Sequence, residues 1–133
     1  MNEVEVYCDG GSRGNPGPSA LGVVIKSTKG EILEEIGEYL GIQTNNYAEY
    51  SAVLCAMQKL NEIGVGKARF YLDSELAVKQ LNGDYRVKNE VLKSLHSKVI
   101  KQIGDMNISF THVYREDNKE ADAIVNQVLD SQK

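Results

Sequence analysis

Four acidic residues stand where a carboxylate can do more than hold water: Asp9, Glu49, Asp73 and Asp122. Asp9 closes a run in which Val4, Val6 and Cys8 alternate with Glu5 and Tyr7, and Asp73 closes a second alternating run, "KARFYLD". Glu49 sits one residue from an apolar stripe that begins at Ala48, and Asp122 holds the same relation to Ala121. A single strand-end Asp is an ordinary turn former or helix cap. Four acids that lie beside a core while pointing out of it differ, because clustered carboxylates raise one another's pKa unless cations neutralise them. With no Cys or His pair nearby, such oxygen ligands favour Mg²⁺ or Mn²⁺ over zinc. Two such ions roughly 4 Å apart activate a water and stabilise the leaving oxygen in phosphodiester hydrolysis.

Hydrophobic periodicity gives the elements that must position these acids. Period-two patterns predict strands ending at Asp9 and over residues 20–27, 31–40, 67–73 and 106–113, with "TKG" as a hairpin turn at 28–30. Ala48, Ala52, Ala56, Leu60 and Ile63 share one helical stripe over residues 47–63, which puts Glu49 in the first turn and leaves Gly64 and Gly66 to end the helix. "SELAVKQLN" predicts a short helix capped by Ser74, and Val91, Leu92, Leu95, Val99 and Ile103 predict another from about residue 88 to 103. Ala121, Ile124, Val125, Val128 and Leu129 mark a last amphipathic helix. The order βββαβααβα implies an α/β fold with a five-stranded mixed sheet, three antiparallel strands followed by two parallel ones, and helices on both faces. Right-handed crossovers lay the first and fourth strands side by side with their C-terminal ends together, at the edge where open α/β sheets bind ligands.

The chain of 133 residues, 41% hydrophobic and 26% charged, is expected to form one domain over residues 1–133. It has neither an apolar run long enough for a membrane span nor a secretory leader, so a cytoplasmic, monomeric protein is expected. The Met1 start and the polar finish "LDSQK" favour a complete chain. Cys8 and Cys55 are read as reduced core residues, with no disulfide or zinc. The net charge of −4 has the wrong sign for gripping nucleic acid by bulk electrostatics, so a phosphate-bearing ligand needs local help. Bound divalent cations, backbone N–H groups or a few placed Lys and Arg residues would supply it.

The blocks "YCDGGSRGNPGPSALGVVI", "TNNYAEYSAV", "LDSELAVKQLNGDYRVKN" and "HVYREDNKEADAIVN" resemble, in order and over nearly the whole chain, the four motif blocks of type 1 ribonuclease H. The resemblance implies the ribonuclease H fold and endonucleolytic cutting of the RNA strand of RNA–DNA hybrids, with 5′-phosphate and 3′-hydroxyl products. It implies Mg²⁺ or Mn²⁺ as cofactor, two ions per site in the substrate complex. Asp9, Glu49, Asp73 and Asp122 match the family's metal-binding acids. There, the acid at the place of Asp9 bridges both ions, those at Glu49 and Asp73 hold the ion on the leaving-group side, and that at Asp122 helps hold the ion that activates water. Gly10, Ser12, Gly14, Asn15 and Asn45 match positions that read successive 2′-hydroxyls, the feature that separates RNA from DNA. Gly11 is grouped with them as a substrate-facing position. Thr44 and Asn46 match the grip on a DNA phosphate.

Three departures refine the expectation. "LNGDYRVKNEVLKSLHSKVIKQI" leaves no room for the basic inserted loop of many members, so the chain resembles the short, handle-less bacterial and archaeal branch. Lys88, Lys93, Lys98 and Lys101 read as a solvated helix face. The loop before Asp122 lacks the His that some members use, and Arg115 is the candidate in its place, acting electrostatically because Arg does not serve as a base near neutral pH. His112 reads as a strand residue and His96 as a helix-surface residue. Glu75 stands where an uncharged side chain is expected beside the RNA; a carboxylate there either weakens hybrid binding or recruits another cation. The rival readings are a hybrid-binding module with weak catalysis and a nuclease acting on double-stranded RNA or RNA–DNA junctions.

Overall fold

The computed structural model describes residues 2–132. Five strands, β1 Glu3–Ser12, β2 Gly17–Ser27, β3 Ile32–Gln43, β4 Lys67–Leu72 and β5 Asn107–His112, form one sheet in the order β3-β2-β1-β4-β5. The β1–β2 and β2–β3 pairs are antiparallel, whereas β1–β4 and β4–β5 are parallel. The helices are α1 Asn45–Ile63, α2 Glu75–Leu81, α3 Glu90–Ile103 and α4 Lys119–Asp130, the last preceded by a 3₁₀ turn over Arg115–Asp117. The architecture is the one expected from the periodicity, and residues 82–89 join α2 to α3 with no inserted helix.

Strand alternation sorts the core into two layers. Val4, Val6 and Cys8 of β1, Leu21, Val23 and Ile25 of β2, and Ala68, Phe70 and Leu72 of β4 are all buried in the layer that also holds Ala52, Val53, Ala56, Met57 and Leu60 of α1. Burying each larger side chain of this set contributes about 1.5–3 kcal/mol. On the opposite face Ala20 and Val24 meet Ala121, Ile124, Val125 and Leu129 of α4. Two glycines set how closely the helices dock. A Cβ on Gly10 would lie 2.2 Å from the Ala48 carbonyl carbon of α1, and one on Gly22 would lie 2.4 Å from the Ala121 carbonyl oxygen of α4.

Several boundaries differ from the sequence expectation. β1 does not stop at Asp9: its ladder with β2 continues through Gly10↔Leu21, Gly11↔Ala20 and Ser12↔Ser19. Its parallel ladder with β4 does stop, at Cys8↔Leu72. Asp9 therefore lies where β1 loses one neighbour, and much of the Gly-rich stretch is paired strand rather than loop. α1 starts at Asn45, where the Thr44 side chain caps the Tyr47 N–H, so Glu49 falls in the second turn. α3 starts at Glu90 because the Asn89 side chain accepts from Val91 and Leu92 N–H groups. Gly64 ends α1 in the left-handed region at φ 80°, its N–H bonded to the Leu60 carbonyl, without help from Gly66. Both cysteines are free, but Cys55 is only half-buried at the margin of the core because its helix face turns partly to solvent. Among the described residues, no helix is long and apolar enough to cross a membrane.

Candidate active site

Where the β1–β4 ladder ends, the two strands part and a crevice of about 460 Å³ opens at the sheet's edge. Three carboxylates meet in it: Asp9, Glu49 and Asp73 each bring an oxygen within 4.8 Å of the others. They arrive from three directions. Asp9 is in β1, Asp73 follows the last residue of β4, and Glu49 comes from α1. The Gly10 backbone N–H donates to Glu49 Oε1 at 2.8 Å. Among the described residues, Glu49 Oε2 and Asp73 Oδ2 are buried without a hydrogen-bond partner. Asp122, in the first turn of α4, lines the same crevice.

This arrangement is electrostatically unsatisfied. The Asp9 carboxyl is pushed up to about 7, first by burial and then by the charges of Asp73 and Asp122, with Glu49 opposing the rise. Burial raises Glu49 well above the ordinary range, with repulsion from Asp9 and Asp73 added and only the Gly10 N–H opposing strongly. Burial also raises Asp73, with the Arg115 guanidinium as the main counterweight. Buried carboxylate oxygens without donors are a poor end state for a fold, since such atoms normally find partners. They fit the donor set of a hard divalent cation, which would neutralise the repulsion and satisfy both orphaned oxygens.

The other expected residues divide. Gly10, Gly11, Ser12, Asn45, Asn46 and Arg115 line the crevice together with the four acids. Gly14, Asn15 and Thr44 lie outside its wall. Asn15 Oδ1 accepts from the Asn45 N–H at 2.9 Å, and Asn45 Oδ1 in turn accepts from the Ser12 N–H at 2.8 Å. The Ser12 hydroxyl lies within hydrogen-bond reach of the Gly14 and Gln43 carbonyls and donates its single proton to one of them at a time. These bonds pin the β1–β2 hairpin to the start of α1, so Asn15 acts here through Asn45, and the Thr44 hydroxyl is engaged in the helix cap. Glu75 is exposed and lines a separate groove between α2 and β5, with Lys79, Asn82 and Phe110 among its neighbours. His96 is half-buried rather than on the helix surface, its Nε2 3.2 Å from the Gln80 carbonyl oxygen. His112 ends β5 edge-on to Tyr114.

The crevice also holds residues that sequence reasoning passed over. Arg13, at the tip of the hairpin, is a wall residue whose guanidinium bridges to Asp130 at 2.8 Å and donates to Asn126 Oδ1 at 3.3 Å. Asn126 Nδ2 reaches back to the Asp122 carboxylate at 3.4 Å, an i, i+4 spacing that the helix pattern carried. Ser74, flagged only as a cap, caps α2 through the Ala77 N–H and lines the crevice as well. Asn118 is buried and donates from Nδ2 to the Cys8 carbonyl at 2.8 Å. Its only sequence signal is its place four residues before Asp122, which reads as a helix cap.

Comparison with known proteins agrees with the motif blocks. Residues 7–128 match the family described as reverse transcriptase-like. Ribonuclease HI of Halobacterium salinarum is 39% identical over 128 residues, covering 96% of this chain and 64% of that protein, so the chain spans less than two thirds of that relative's length. The crystal structure of ribonuclease H1 from H. salinarum superposes with a TM-score of 0.94 at 37% identity, covering 98% of this chain and 99% of that one. The LC11 ribonuclease H1, solved in complex with an RNA/DNA hybrid, superposes at 0.93 with 39% identity, covering 97% and 98% of the two chains.

Proposed function

This chain belongs to the type 1 ribonuclease H family, and on that premise we propose that it is a metal-dependent endonuclease hydrolysing the RNA strand of RNA–DNA hybrids, with 5′-phosphate and 3′-hydroxyl products. The observation that carries the reading is the meeting of four carboxylates in one crevice, two of their buried oxygens lacking a partner among the described residues. Asp9, Glu49, Asp73 and Asp122 would hold two Mg²⁺ or Mn²⁺ ions, which when bound supply an activated water and charge stabilisation at the leaving oxygen.

The protein's own groups do the rest. Asp9 feels the charge of both Asp73 and Asp122, which suits it to a ligand shared between two positions. The Gly10 N–H holds one Glu49 oxygen and leaves the other free for a cation. Arg115, beside Asp73, offers a permanent positive charge to the scissile phosphate or to the product. Backbone and side-chain groups of Gly10, Gly11, Ser12, Gly14, Asn15 and Asn45 are assigned to the 2′-hydroxyls, with Thr44 and Asn46 on a DNA phosphate. Glu75 would face the RNA just outside the crevice, where its charge weakens binding or recruits another cation. Recognition through hydroxyls and cations suits a chain of net charge −4. The protein is assigned as a cytoplasmic monomer of one domain.

The test presents one labelled strand as RNA–DNA hybrid, double-stranded RNA, double-stranded DNA and a DNA duplex with one ribonucleotide, each with Mg²⁺, Mn²⁺ or chelator. Cutting confined to RNA within the hybrid, and lost with chelator, supports the reading. Cutting of duplex RNA or of the single-ribonucleotide junction broadens the substrate class. Hybrid binding by folded protein without cutting in either metal replaces the reading with a binding module.

A further inference from the structure

We propose that Asn118 is a positioning residue that ties the strand end bearing Asp9 to the start of the helix bearing Asp122 and so sets the affinity of the site for divalent cations. The proposal rests on the reading of the carboxylate cluster as a metal centre. Beyond the Cys8↔Leu72 rung β1 loses β4 as its neighbour, and Asp9, directly after that rung, must be held beside Asp122 of α4 against their repulsion. Asn118 supplies a tie between the two elements. Its amide is buried, 1% exposed, and Nδ2 donates to the Cys8 carbonyl at 2.8 Å. A carbonyl acceptor requires an N–H donor, which fixes the orientation of the amide.

Asn118 also precedes α4, but its side chain makes no capping bond to that helix. Its link to Asp122 is through the backbone: the Asp122 N–H donates to the Asn118 carbonyl at 3.1 Å. One residue thus bonds the neighbour of Asp9 through its side chain and Asp122 through its backbone. Truncating its side chain removes the first tie and leaves the second. The strand end and the helix start then lose their cross-link, and cation binding must also reorder them. Partners that orient ligands in this way typically change metal affinity about 10–100-fold when removed.

The experiment compares wild type, Asn118→Ala, the similarly sized but apolar Asn118→Leu and Val99→Ala, a truncation of a fully buried residue of α3 that lines neither the crevice nor its rim. Mn²⁺ binding to the substrate-free proteins is measured by calorimetry, and hybrid cleavage is followed across a Mg²⁺ titration, with thermal unfolding as the measure of fold. Asn118→Ala is expected to weaken Mn²⁺ binding and raise the Mg²⁺ needed for half-maximal rate by about tenfold or more. Its kcat should recover to within a few-fold at saturating Mg²⁺ with the KM for hybrid unchanged, and Val99→Ala should lose thermal stability without moving either metal profile. Folded Asn118→Ala with wild-type metal binding overturns the proposal, as does an equal shift in Val99→Ala. Should Asn118→Ala not fold, Asn118→Leu decides by the same criteria; failure of both to fold makes Asn118 a structural residue and overturns the proposal. Wild type that neither binds Mn²⁺ nor cuts hybrid sinks the metal-centre reading and this proposal with it. Active wild type beside an unchanged Asn118→Ala sinks this proposal alone.

Discussion

The Gly10 backbone N–H donates to the Glu49 carboxylate at 2.8 Å, so the acid brought by α1 is tied to the residue directly after Asp9. That bond exists because α1 packs very closely on β1: a Cβ at position 10 would fall 2.2 Å from the Ala48 carbonyl carbon and 2.4 Å from the Glu49 nitrogen. The first glycine of the Gly-rich stretch is therefore a docking residue as much as a substrate-facing one.

Gly10→Ala follows directly. The added methyl meets backbone, which cannot rotate away, so α1 must lift from β1 and carry Glu49 off its N–H donor. The expected cost is about 2 kcal/mol of stability, seen as a lower midpoint in denaturant with an unchanged slope. Hybrid cleavage should fall more than tenfold under conditions where the variant remains folded. A variant of wild-type stability and rate would mean that the close approach is not needed.

The raised carboxyls give the metal-free protein a distinctive pH dependence. The folded value for Asp9 is about 7 against an ordinary 3.8. Below that ordinary value the group is protonated in the folded and unfolded chains alike. Between the two values the unfolded chain releases a proton that the folded chain keeps, so this group's contribution to stability is lost as pH rises through that window. Glu49 and Asp73 shift in the same direction. In chelator, Asp9→Asn should therefore melt close to wild type near pH 4 and above it at pH 8, by an amount on the order of 2 kcal/mol. Mg²⁺ should raise the wild-type melting temperature at pH 8 far more than at pH 5. A difference between variant and wild type that shrinks with rising pH would contradict the electrostatic picture.

Arg115 is exposed, lines the crevice and is the main charge opposing the rise of Asp73. Arg115→Ala should lower kcat about 10–100-fold with little change in KM, and Arg115→Lys should keep part of the rate by retaining the charge. A large rise in KM with kcat unchanged would make it a binding residue instead.

Much of this was legible in the chain because the relevant signals are local. Val4, Val6 and Cys8 alternate, Ala48 to Leu60 recur at helical spacing, and the acids sit beside those patterns, so the succession of elements, the pairing of the first and fourth strands and the four candidate carboxylates are legible in the sequence. The continuation of β1 through Gly10–Ser12 is not, because Gly and Ser carry no apolar alternation and only pairing with Leu21, Ala20 and Ser19 reveals a strand. Asn118 was hidden for a different reason. Its partner is Cys8, distant in sequence, and an Asn before a helix reads as a cap when its amide in fact faces the other way. Glu75 opens α2 and lines a groove separate from the crevice, a placement that its neighbours in sequence do not reveal.

The most direct test of the central claim is to incubate RNA-labelled hybrid with wild type and with Asp9→Asn in Mg²⁺, and to measure hybrid binding by both proteins in parallel. The expected result is cleavage by wild type, none by Asp9→Asn, and hybrid affinity in the variant equal to or tighter than wild type, since one negative charge is removed from the crevice. Undiminished turnover by Asp9→Asn would contradict the assignment of this crevice as the catalytic centre.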